Sequence, residues 1–372
     1  MFLTYIRSIV CLVCILRRAA AAEIESISYS SLTYSPLTSY SYPHQGWTAS
    51  FEFDIQQAVY ENDYFSMSFP LIYRIKFNNN NASTTVLLND GTKAFKCYVS
   101  QQAAYIYDTT IFRCDALMDI SSSSSVMGSI TFSFSFSSGG SIYEYELQDA
   151  SQYHAGTMNV PLTSELSAPI TFESSPFEED IYTIGRTTTY NSLETYYLGM
   201  KCPDGYLLGG TQTIQYDKNN EGFDLDCTSV QCYMADAFND WSLPLNYKNA
   251  GAKVSCSSNT LQIQVNEASS NDTLWINALQ SVSEGINTVE HDVQMEYTCS
   301  NTIEKSTYST QLQTVVEYVI YQGKAIATGS VASVSSATNG SSSSVSTPAS
   351  QISSLVTETE SFLSSSTPVS ST

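Results

Sequence analysis

The stretch WTASFEFDI, from Trp47 to Ile55, decides the fold class of this chain. Its apolar residues alternate with polar ones, and the same period of two recurs in ITFSFSF, from Ile130 to Phe136. A period of two predicts a β-strand with one buried face and one solvated face. Both stretches are therefore predicted to be half-buried strands.

Similar strand-like stretches occur along most of the chain, with polar turn clusters between them. They span residues 69–77, 260–265, 295–299 and 314–321. Many short strands without long helical periods are typical of antiparallel β-sandwiches, so we expect an all-β fold. Because Ser174-Ser175-Pro176 and the acidic residues after it interrupt the pattern, we place a domain junction there and predict folded regions at 23–176 and 177–324.

The first 22 residues have the pattern of a secretory signal peptide. Arg7 precedes an apolar run from Ile9 to Leu16, and small residues follow at 19–22. This order is typical of a signal that is cleaved near Ala22, and the apolar run is shorter than the ~20 residues that span a bilayer. We therefore expect a secreted mature chain.

The mature chain is strongly acidic and lacks common catalytic motifs. After residue 22 it has 12 basic and 36 acidic side chains, a formal charge of −24, which argues against nucleic acid as a partner. His44, His154 and His291 are not spaced like metal ligands, and no P-loop, dinucleotide fingerprint or nucleophile elbow occurs. We expect no cofactor, no metal and no enzymatic activity.

Seven cysteines remain after the signal peptide, and an oxidising secretory compartment favours disulfides between them. The spacing of Cys97 and Cys114 closes a loop the size of a hairpin. The odd number leaves either a free buried thiol or an intermolecular bridge. Acceptor sequences for N-glycosylation at Asn81, Asn271 and Asn339 fit the same compartment.

The composition changes abruptly at residue 325. Of the last 48 residues, 25 are Ser or Thr, and aromatic residues almost disappear. Such a segment cannot bury a core, so residues 325–372 are predicted to be an O-glycosylated stalk. The alternative is an unmodified flexible tail.

Several longer strings resemble a known family. They include GWTASFEFDI, FPLIYRIKF, GTKAFKCYVSQQAAYIY, CPDGYLLGG, FNDWSLP, LWINALQS and YVIYQGK. These strings closely resemble the alpha-agglutinin type of yeast mating adhesins and, more loosely, the agglutinin-like adhesins of related yeasts. The resemblance covers residues 23 to about 324 and, by composition, the stalk.

The resemblance implies a cell-wall glycoprotein with tandem immunoglobulin-like domains. It would agglutinate cells during mating by binding the C-terminal peptide of a-agglutinin on the opposite mating type. The family also implies a GPI anchor through which the protein is linked to wall glucan. A GPI-anchor signal includes a hydrophobic C-terminal tail, and the given sequence, which ends at Thr372, does not show one. By the family pattern, Cys202 pairs with Cys299 and Cys227 with Cys256, which leaves Cys232 over.

The resemblance also suggests where the peptide binds. In the looser relatives a free peptide C-terminus enters a groove between two domains, pairs with the last strand of the second domain, and has its carboxylate bound by a basic residue. Family members carry Lys where this chain has Arg74, and Lys76 lies two residues further on. The alternative for Arg74 is an exposed charge that protects an edge strand. The pairing strand is 314–321, with Tyr318 and Tyr321 as contact candidates.

Two further residues are candidates for the partner site. Trp241 follows a polar turn and is the tryptophan that we expect to be most exposed of the three, although tryptophan is more often a core residue. His291 follows Glu290, and this acidic-His pair is similar to one in the family that the chain resembles, which suggests a role in partner binding. The alternative is that His291 is a solvated loop residue. A lectin-like protein and a structural wall glycoprotein without a specific peptide ligand are the alternative functions.

Overall fold

The computed structural model describes residues 21–103, 107–122, 124–175, 181–187, 192–216, 224–268, 272–283 and 285–333. Almost all regular structure in these ranges is β-strand, which confirms the predicted all-β class. The predicted signal peptide falls outside the described residues except for its last two positions. No described helix is long and apolar enough to cross a membrane.

The strands fall into two groups along the chain. The first group contains β1 Ile27–Pro36, β2 Trp47–Ile55, β3 Tyr64–Phe69, β4 Ile72–Lys76, β5 Ser83–Leu88, β6 Lys93–Gln101, β7 Thr110–Ala116, β8 Ser124–Phe136, β9 Gly156–Pro161 and β10 Ser167–Phe172. A short 3-10 helix, Asn78–Asn80, follows β4, and helix α1, Glu144–Gln152, follows β8.

The second group begins after residue 180. It contains β11 Tyr182–Thr187, β12 Ser192–Gly199, β13 Gly205–Tyr216, β14 Leu225–Ala235, β15 Lys248–Asn249, β16 Lys253–Cys256, β17 Thr260–Val265, β18 Thr273–Ser281, β19 Thr288–Asn301 and β20 Ser306–Val319. The last strand, β21 Ala325–Ser333, joins the main sheet of the first group.

The first group builds one sandwich around an aromatic core. Its main sheet has the strand order β1-β2-β8-β21-β5-β6-β7-β3, with β4 also paired to β8. Along β2 the buried and wetter positions alternate as the sequence predicts, so Phe51 and Phe53 enter the core while Glu52 is exposed. The Phe132 ring of β8 stacks on the rings of Phe69 and Phe112 at centroid distances of 5.6 and 5.4 Å. Aromatic contacts therefore join β8 to β3 and β7 across the core.

The second group packs two five-stranded sheets on each other. One sheet has the order β11-β12-β18-β14-β15 and the other β16-β17-β13-β19-β20. Their inner faces share an apolar core that includes Leu193, Ile214, Ile263 and Val293. The two cores use residues 24–172 and 181–320, apart from a few residues that cross over. The proposed junction at 174–176 falls between them, although residues 176–180 lie outside the described ranges.

Strand β21 returns from the second sandwich to the first. It lies antiparallel to β8 and parallel to β5, and its small residues Ala325 and Ala327 are buried. The amide of Asn78 holds its first residue, accepting a 2.6 Å hydrogen bond from the Ala325 N–H and donating a 2.8 Å one to the Ala325 carbonyl. The predicted stalk therefore starts too early, because residues 325–333 form a strand with small inward-facing side chains.

Disulfides tie the strands together. Cys97 and Cys114 are cross-strand neighbours on β6 and β7. Cys227 on β14 joins Cys256 on β16, which links the two sheets of the second sandwich. The third bridge, Cys202–Cys299, closes a separation of 97 residues, and Cys232 is a free, half-buried cysteine.

Candidate functional site

The first and second sandwiches meet at a junction that is rich in polar groups. The segment after β8 and helix α1 come from the first sandwich, and β11, β12 and β18 come from the second. Tyr73 on β4 donates a 2.8 Å hydrogen bond to Glu194 on β12. Asn277 on β18 donates to the Gly140 carbonyl at 3.2 Å and to Glu194 at 3.0 Å. The junction is therefore fixed by directed hydrogen bonds.

A buried arginine lies at the centre of this junction. Arg186 on β11 is 0 % exposed and forms a 2.8 Å ion pair with Glu194. Its guanidinium also lies 3.5 Å from the centre of the Tyr73 ring and donates a 2.7 Å hydrogen bond to Tyr196. A second carboxylate, Glu146 on α1, is 3.9 Å away. A charge buried this deeply is tolerable only with such partners.

The two carboxylates respond to this environment in opposite directions. Burial tends to raise the pKa of Glu194, but the Arg186 charge and hydrogen bonds outweigh it and hold that pKa below the ordinary value. For Glu146 burial prevails over Arg186, so its pKa is raised. The pKa of the neighbouring Asp149 on α1 is raised to about 7, also chiefly by burial. Arg186 is thus neutralised mainly by Glu194.

Glycine permits the close approach of the two sandwiches. Gly140 has φ +119°, a conformation that side chains rarely adopt, and a Cβ there would lie 2.3 Å from the Tyr196 ring. A larger residue at this position would push the sandwiches apart. The Gly139-Gly140 pair thus acts as a spacer at the junction as well as a turn.

Lys76 is the cation whose donors are least satisfied at this junction. It is 2 % exposed at the end of β4, and its ammonium donates a 3.0 Å hydrogen bond to the Tyr321 carbonyl and lies 5.5 Å from the Tyr321 ring centre. Burial lowers its pKa to about 8, and no described carboxylate contributes to that pKa. An ammonium has three donors, so this one retains capacity for an anionic acceptor.

Arg74 is engaged differently. It is half-buried, and its guanidinium donates to the Tyr73 carbonyl at 2.9 Å and to the Ala103 carbonyl. The same group stacks 3.9 Å from the centre of the Tyr73 ring, which also contacts Arg186. Arg74 is therefore not an exposed edge charge, and its guanidinium is already held by two carbonyls and by the Tyr73 ring.

The chain itself covers Lys76. Residues 320–324 connect β20 to β21 and pass over the end of β4. A Cβ at Gly323 would lie 2.2 Å from the Phe77 carbonyl and 2.8 Å from the Lys76 side chain, so only glycine fits this crossing. Of the two predicted tyrosines, Tyr321 is therefore beside the candidate cation.

His291 is a core residue, which neither of its predicted roles allowed for. It is 0 % exposed on β19, its Nδ1 is hydrogen-bonded to the Tyr197 hydroxyl, and its ring lies 4.4 Å from that of Tyr216 and 4.8 Å from that of Tyr318. Burial lowers its pKa to about 3, so the imidazole is neutral. Tyr318 is buried against it and is not available as a peptide contact. The alternation Val289, His291, Val293 is the sequence signal for this inward face.

Trp241 is also buried and not exposed as predicted. It is 0 % exposed, its indole N–H donates a 2.7 Å hydrogen bond to the Glu173 carbonyl, and its ring meets Phe172 at 5.8 Å. Although it follows β14 in sequence, Trp241 therefore completes the core of the first sandwich. Its role at the junction is structural packing.

Some buried polar atoms near the junction lack hydrogen-bond partners among the described residues. They are the Ser138 hydroxyl, the Tyr145 hydroxyl and the His44 Nδ1. Burial, with a contribution from the Arg186 charge, lowers the pKa of His44 to about 3.

The N-glycosylation candidates are only partly described. Asn81 is exposed at the end of the turn after β4, as an acceptor must be. Asn271 and Asn339 lie outside the described residues. Sequence reasoning also missed Tyr73, Arg186 and Glu194, since no local motif marks residues that meet only through tertiary contact.

Comparison with known proteins decides the family. The sequence model of the agglutinin-like protein N-terminal domain matches residues 50–299. The chain belongs to the agglutinin-like protein family. The predicted family resemblance is confirmed, and so is the prediction that the chain is not an enzyme, because the members are agglutinins.

The curated relatives are longer proteins than this chain. It is 46% identical to alpha-agglutinin of Saccharomyces cerevisiae over 318 residues, which is 85% of this chain and 49% of that protein. It is 22% identical to agglutinin-like protein 1 of Candida albicans over 299 residues, 77% of this chain and 23% of that protein. The collagen adhesin of S. aureus aligns in structure with 84% of this chain and 98% of its own, at 14% identity and a TM-score of 0.41.

Proposed function

We propose that the chain is the partner-binding part of a secreted, cell-surface adhesion glycoprotein of a yeast. It agglutinates cells during mating by binding the C-terminal peptide of a-agglutinin on the opposite mating type, and a GPI-type anchor links the complete protein to wall glucan. The family supports adhesion, and the junction between the sandwiches supports a peptide with a free carboxylate.

The observation that carries this proposal is the buried ammonium of Lys76. A buried charge without an ionised partner destabilises a fold, so its presence favours a role in binding an anion. The chain is otherwise strongly acidic, which repels carboxylates from most of its surface. A peptide carboxylate at Lys76 would gain a short, charge-assisted hydrogen bond in a place that excludes water. Arg74, which was the sequence-based candidate, already donates to two carbonyls.

The edge of β20 supplies a surface for the rest of the peptide. Among the described strands β20 pairs only with β19, and it exposes Val315 and Val319 by 62 % and 66 %. A peptide that adds to such an edge gains main-chain hydrogen bonds, while exposed apolar side chains provide contact specificity. Tyr321 lies two residues beyond the end of β20, so a peptide that runs parallel to β20 would end next to Lys76.

The peptide would also meet the junction's own groups. Because residues 320–324 cover Lys76, the peptide carboxylate would reach the ammonium by displacing this segment and replacing the Tyr321 carbonyl as acceptor. This arrangement favours a peptide with a free end over an internal segment of a folded protein.

A bead assay tests the proposal. Beads that carry the full secreted chain are mixed with cells of each mating type. Each mixture is prepared without peptide and with a synthetic peptide that has the C-terminal sequence of the a-agglutinin binding subunit. We expect adhesion to one mating type only and inhibition by the free-acid peptide but not by its C-terminal amide. Adhesion to both types that free sugar blocks would indicate a lectin, and no adhesion to either type would indicate a structural glycoprotein.

A further inference from the structure

A groove lies on the first sandwich, among residues that the proposed peptide site does not include. It has a volume of about 560 Å³ and runs between the end of β4 and the β5–β6 hairpin. Buried Ile75 and Phe77 form its apolar floor, and Lys96 and Asp115 contribute charged groups to its walls. A groove with an apolar floor and a few polar walls is typical of ligand sites.

The N-glycosylation sequence lies directly on this groove. Asn81, Ala82 and Ser83 all line it. The Asn81 N–H donates a 2.9 Å hydrogen bond to the Asn78 carbonyl, which fixes the turn while the Asn81 side chain remains exposed. The first sugar on Asn81 must therefore begin at the rim of the groove.

An aromatic ring faces the same sequence across the hairpin. Tyr98 on β6 is the direct cross-strand partner of Ser83 on β5, and it also lines the groove. Its hydroxyl donates a 3.0 Å hydrogen bond to Asp115, and Asp115 forms a 2.7 Å ion pair with Arg113. These contacts hold the ring in place beside the glycan acceptor.

We propose that the groove is the docking site of the N-linked glycan on Asn81, with the Tyr98 ring as platform for the C–H face of the first N-acetylglucosamine. The sugar comes from a lipid-linked oligosaccharide. The Asn81 amide nitrogen bonds to its anomeric carbon, the carbon–phosphate oxygen bond breaks, and the lipid diphosphate and the amide proton leave. Aromatic rings offer apolar area at low conformational cost, and the groove's charged and amide groups match the hydroxyl and N-acetyl groups.

Docking would connect the glycan to the fold. The sugar would bridge the turn after β4 and the β5–β6 hairpin that follows this turn. The same turn carries Asn78, whose amide holds the first residue of β21. A docked glycan would therefore rigidify the point at which the last strand enters the first sandwich.

Site-specific enzymatic release of the glycan tests this inference. The full chain is secreted from a yeast host, treated in its native state with endoglycosidase H, and analysed at Asn81 by mass spectrometry of the glycopeptide. We expect release from wild type to be slower than from Tyr98→Ala by about tenfold, which corresponds to ~1.4 kcal/mol. Tyr98→Phe, which keeps the ring, and Tyr60→Ala, which removes a tyrosine that is 51% exposed, should behave like wild type.

Two results would overturn the inference. One is an Asn81 that carries no glycan in the secreted protein. The other is equal release from wild type and Tyr98→Ala, provided that both denatured chains are also cleaved equally. If Tyr98→Ala fails to fold, nuclear Overhauser contacts between the Tyr98 ring and the first sugar in wild type replace the comparison, and their absence contradicts docking.

Discussion

Replacing Lys76 by methionine separates a binding role from a structural one. Lys76→Met removes the ammonium but keeps a flexible side chain of similar length. In the unliganded protein, burial lowers the Lys76 pKa from its ordinary value of 10.5 to about 8, so burial disfavours the charged form. This penalty applies below pH 8 and disappears as the pH rises towards 10.5. Methionine avoids it and loses only the contacts with Tyr321.

The expected result is therefore a variant that is stable but does not bind. The free energy of unfolding of Lys76→Met at pH 7 should equal or exceed that of wild type, measured by urea denaturation. Affinity for the free-acid peptide should fall at least ~30-fold, because truncating one partner of a buried charge pair costs ~2–5 kcal/mol. Isothermal titration calorimetry with the free-acid and amidated peptides measures this loss.

Amidation of the peptide identifies the partner of the carboxylate. It should weaken binding to wild type and to the matched control Arg74→Met, but it should have little further effect on Lys76→Met. If amidation weakens binding to wild type and Lys76→Met equally, the reasoning about Lys76 is refuted. If only Arg74→Met becomes insensitive, Arg74 holds the carboxylate. A strongly destabilised Lys76→Met would show that the lysine is structural.

Four further predictions concern the scaffold. Removing the Cys202–Cys299 bridge should lower the free energy of unfolding by about 4 kcal/mol because it closes a loop of nearly 100 residues, and urea denaturation of the double serine variant measures this. Cys232→Ser should leave light-scattering mass and peptide affinity unchanged, since burial raises the thiol pKa to about 12, and a covalent dimer lost in the variant would contradict this. Between pH 6.5 and 3 the stability of wild type should fall more steeply than that of His291→Gln, by about 1.4 kcal/mol per pH unit, because unfolding lets this buried neutral imidazole take up a proton. Arg186→Met should destabilise the protein by ~3–5 kcal/mol by leaving Glu194 buried without its cation, and a change below 1 kcal/mol would contradict the importance of that pair.

Periodicity predicted the strands that have a simple environment. Trp47–Ile55 has one face in the core and one nearer solvent, so its alternation of apolar and polar residues corresponds to the structure. At the end of β8 the alternation of apolar and polar residues does not correspond to the structure, because Ser133 and Ser135 are buried as well as Phe134 between them. There the outer face is covered by the chain after β20, and the Ser133 hydroxyl pairs with the Lys324 backbone. A local pattern does not reveal a covering segment that is distant in sequence.

Composition misplaced the start of the stalk for a related reason. Residues 325–333 are poor in large apolar side chains, which suggested that they could not join a core. An added strand needs mainly backbone partners, and β8 and β5 provide them while Ala325 and Ala327 fill the remaining space. The prediction for His291 was wrong because its acidic neighbours suggest a solvated segment, whereas the alternation of β19 turns His291 inward. Both errors arise where tertiary pairing outweighs local composition.

The candidate site was predictable in outline only. The string that contains Arg74 and Lys76 predicted a cation on this strand, but the contacts of the two cations depend on the Tyr321 carbonyl and the Ala103 carbonyl, which come from distant parts of the chain. The same holds for the Arg186–Glu194 pair, whose members are ordinary charged residues in sequence. The site is thus a property of the junction and not of any one motif.

The pKa of the Lys76 ammonium tests the central claim most directly. Nuclear magnetic resonance of lysine side chains in the full chain, with Lys76→Met to assign the signal, measures it without and with peptide. We expect a pKa of about 8 in the free protein, a clear rise when the free-acid peptide binds, and no rise with the amidated peptide. A pKa that stays unchanged while the free-acid peptide is bound would contradict the claim that Lys76 holds the carboxylate.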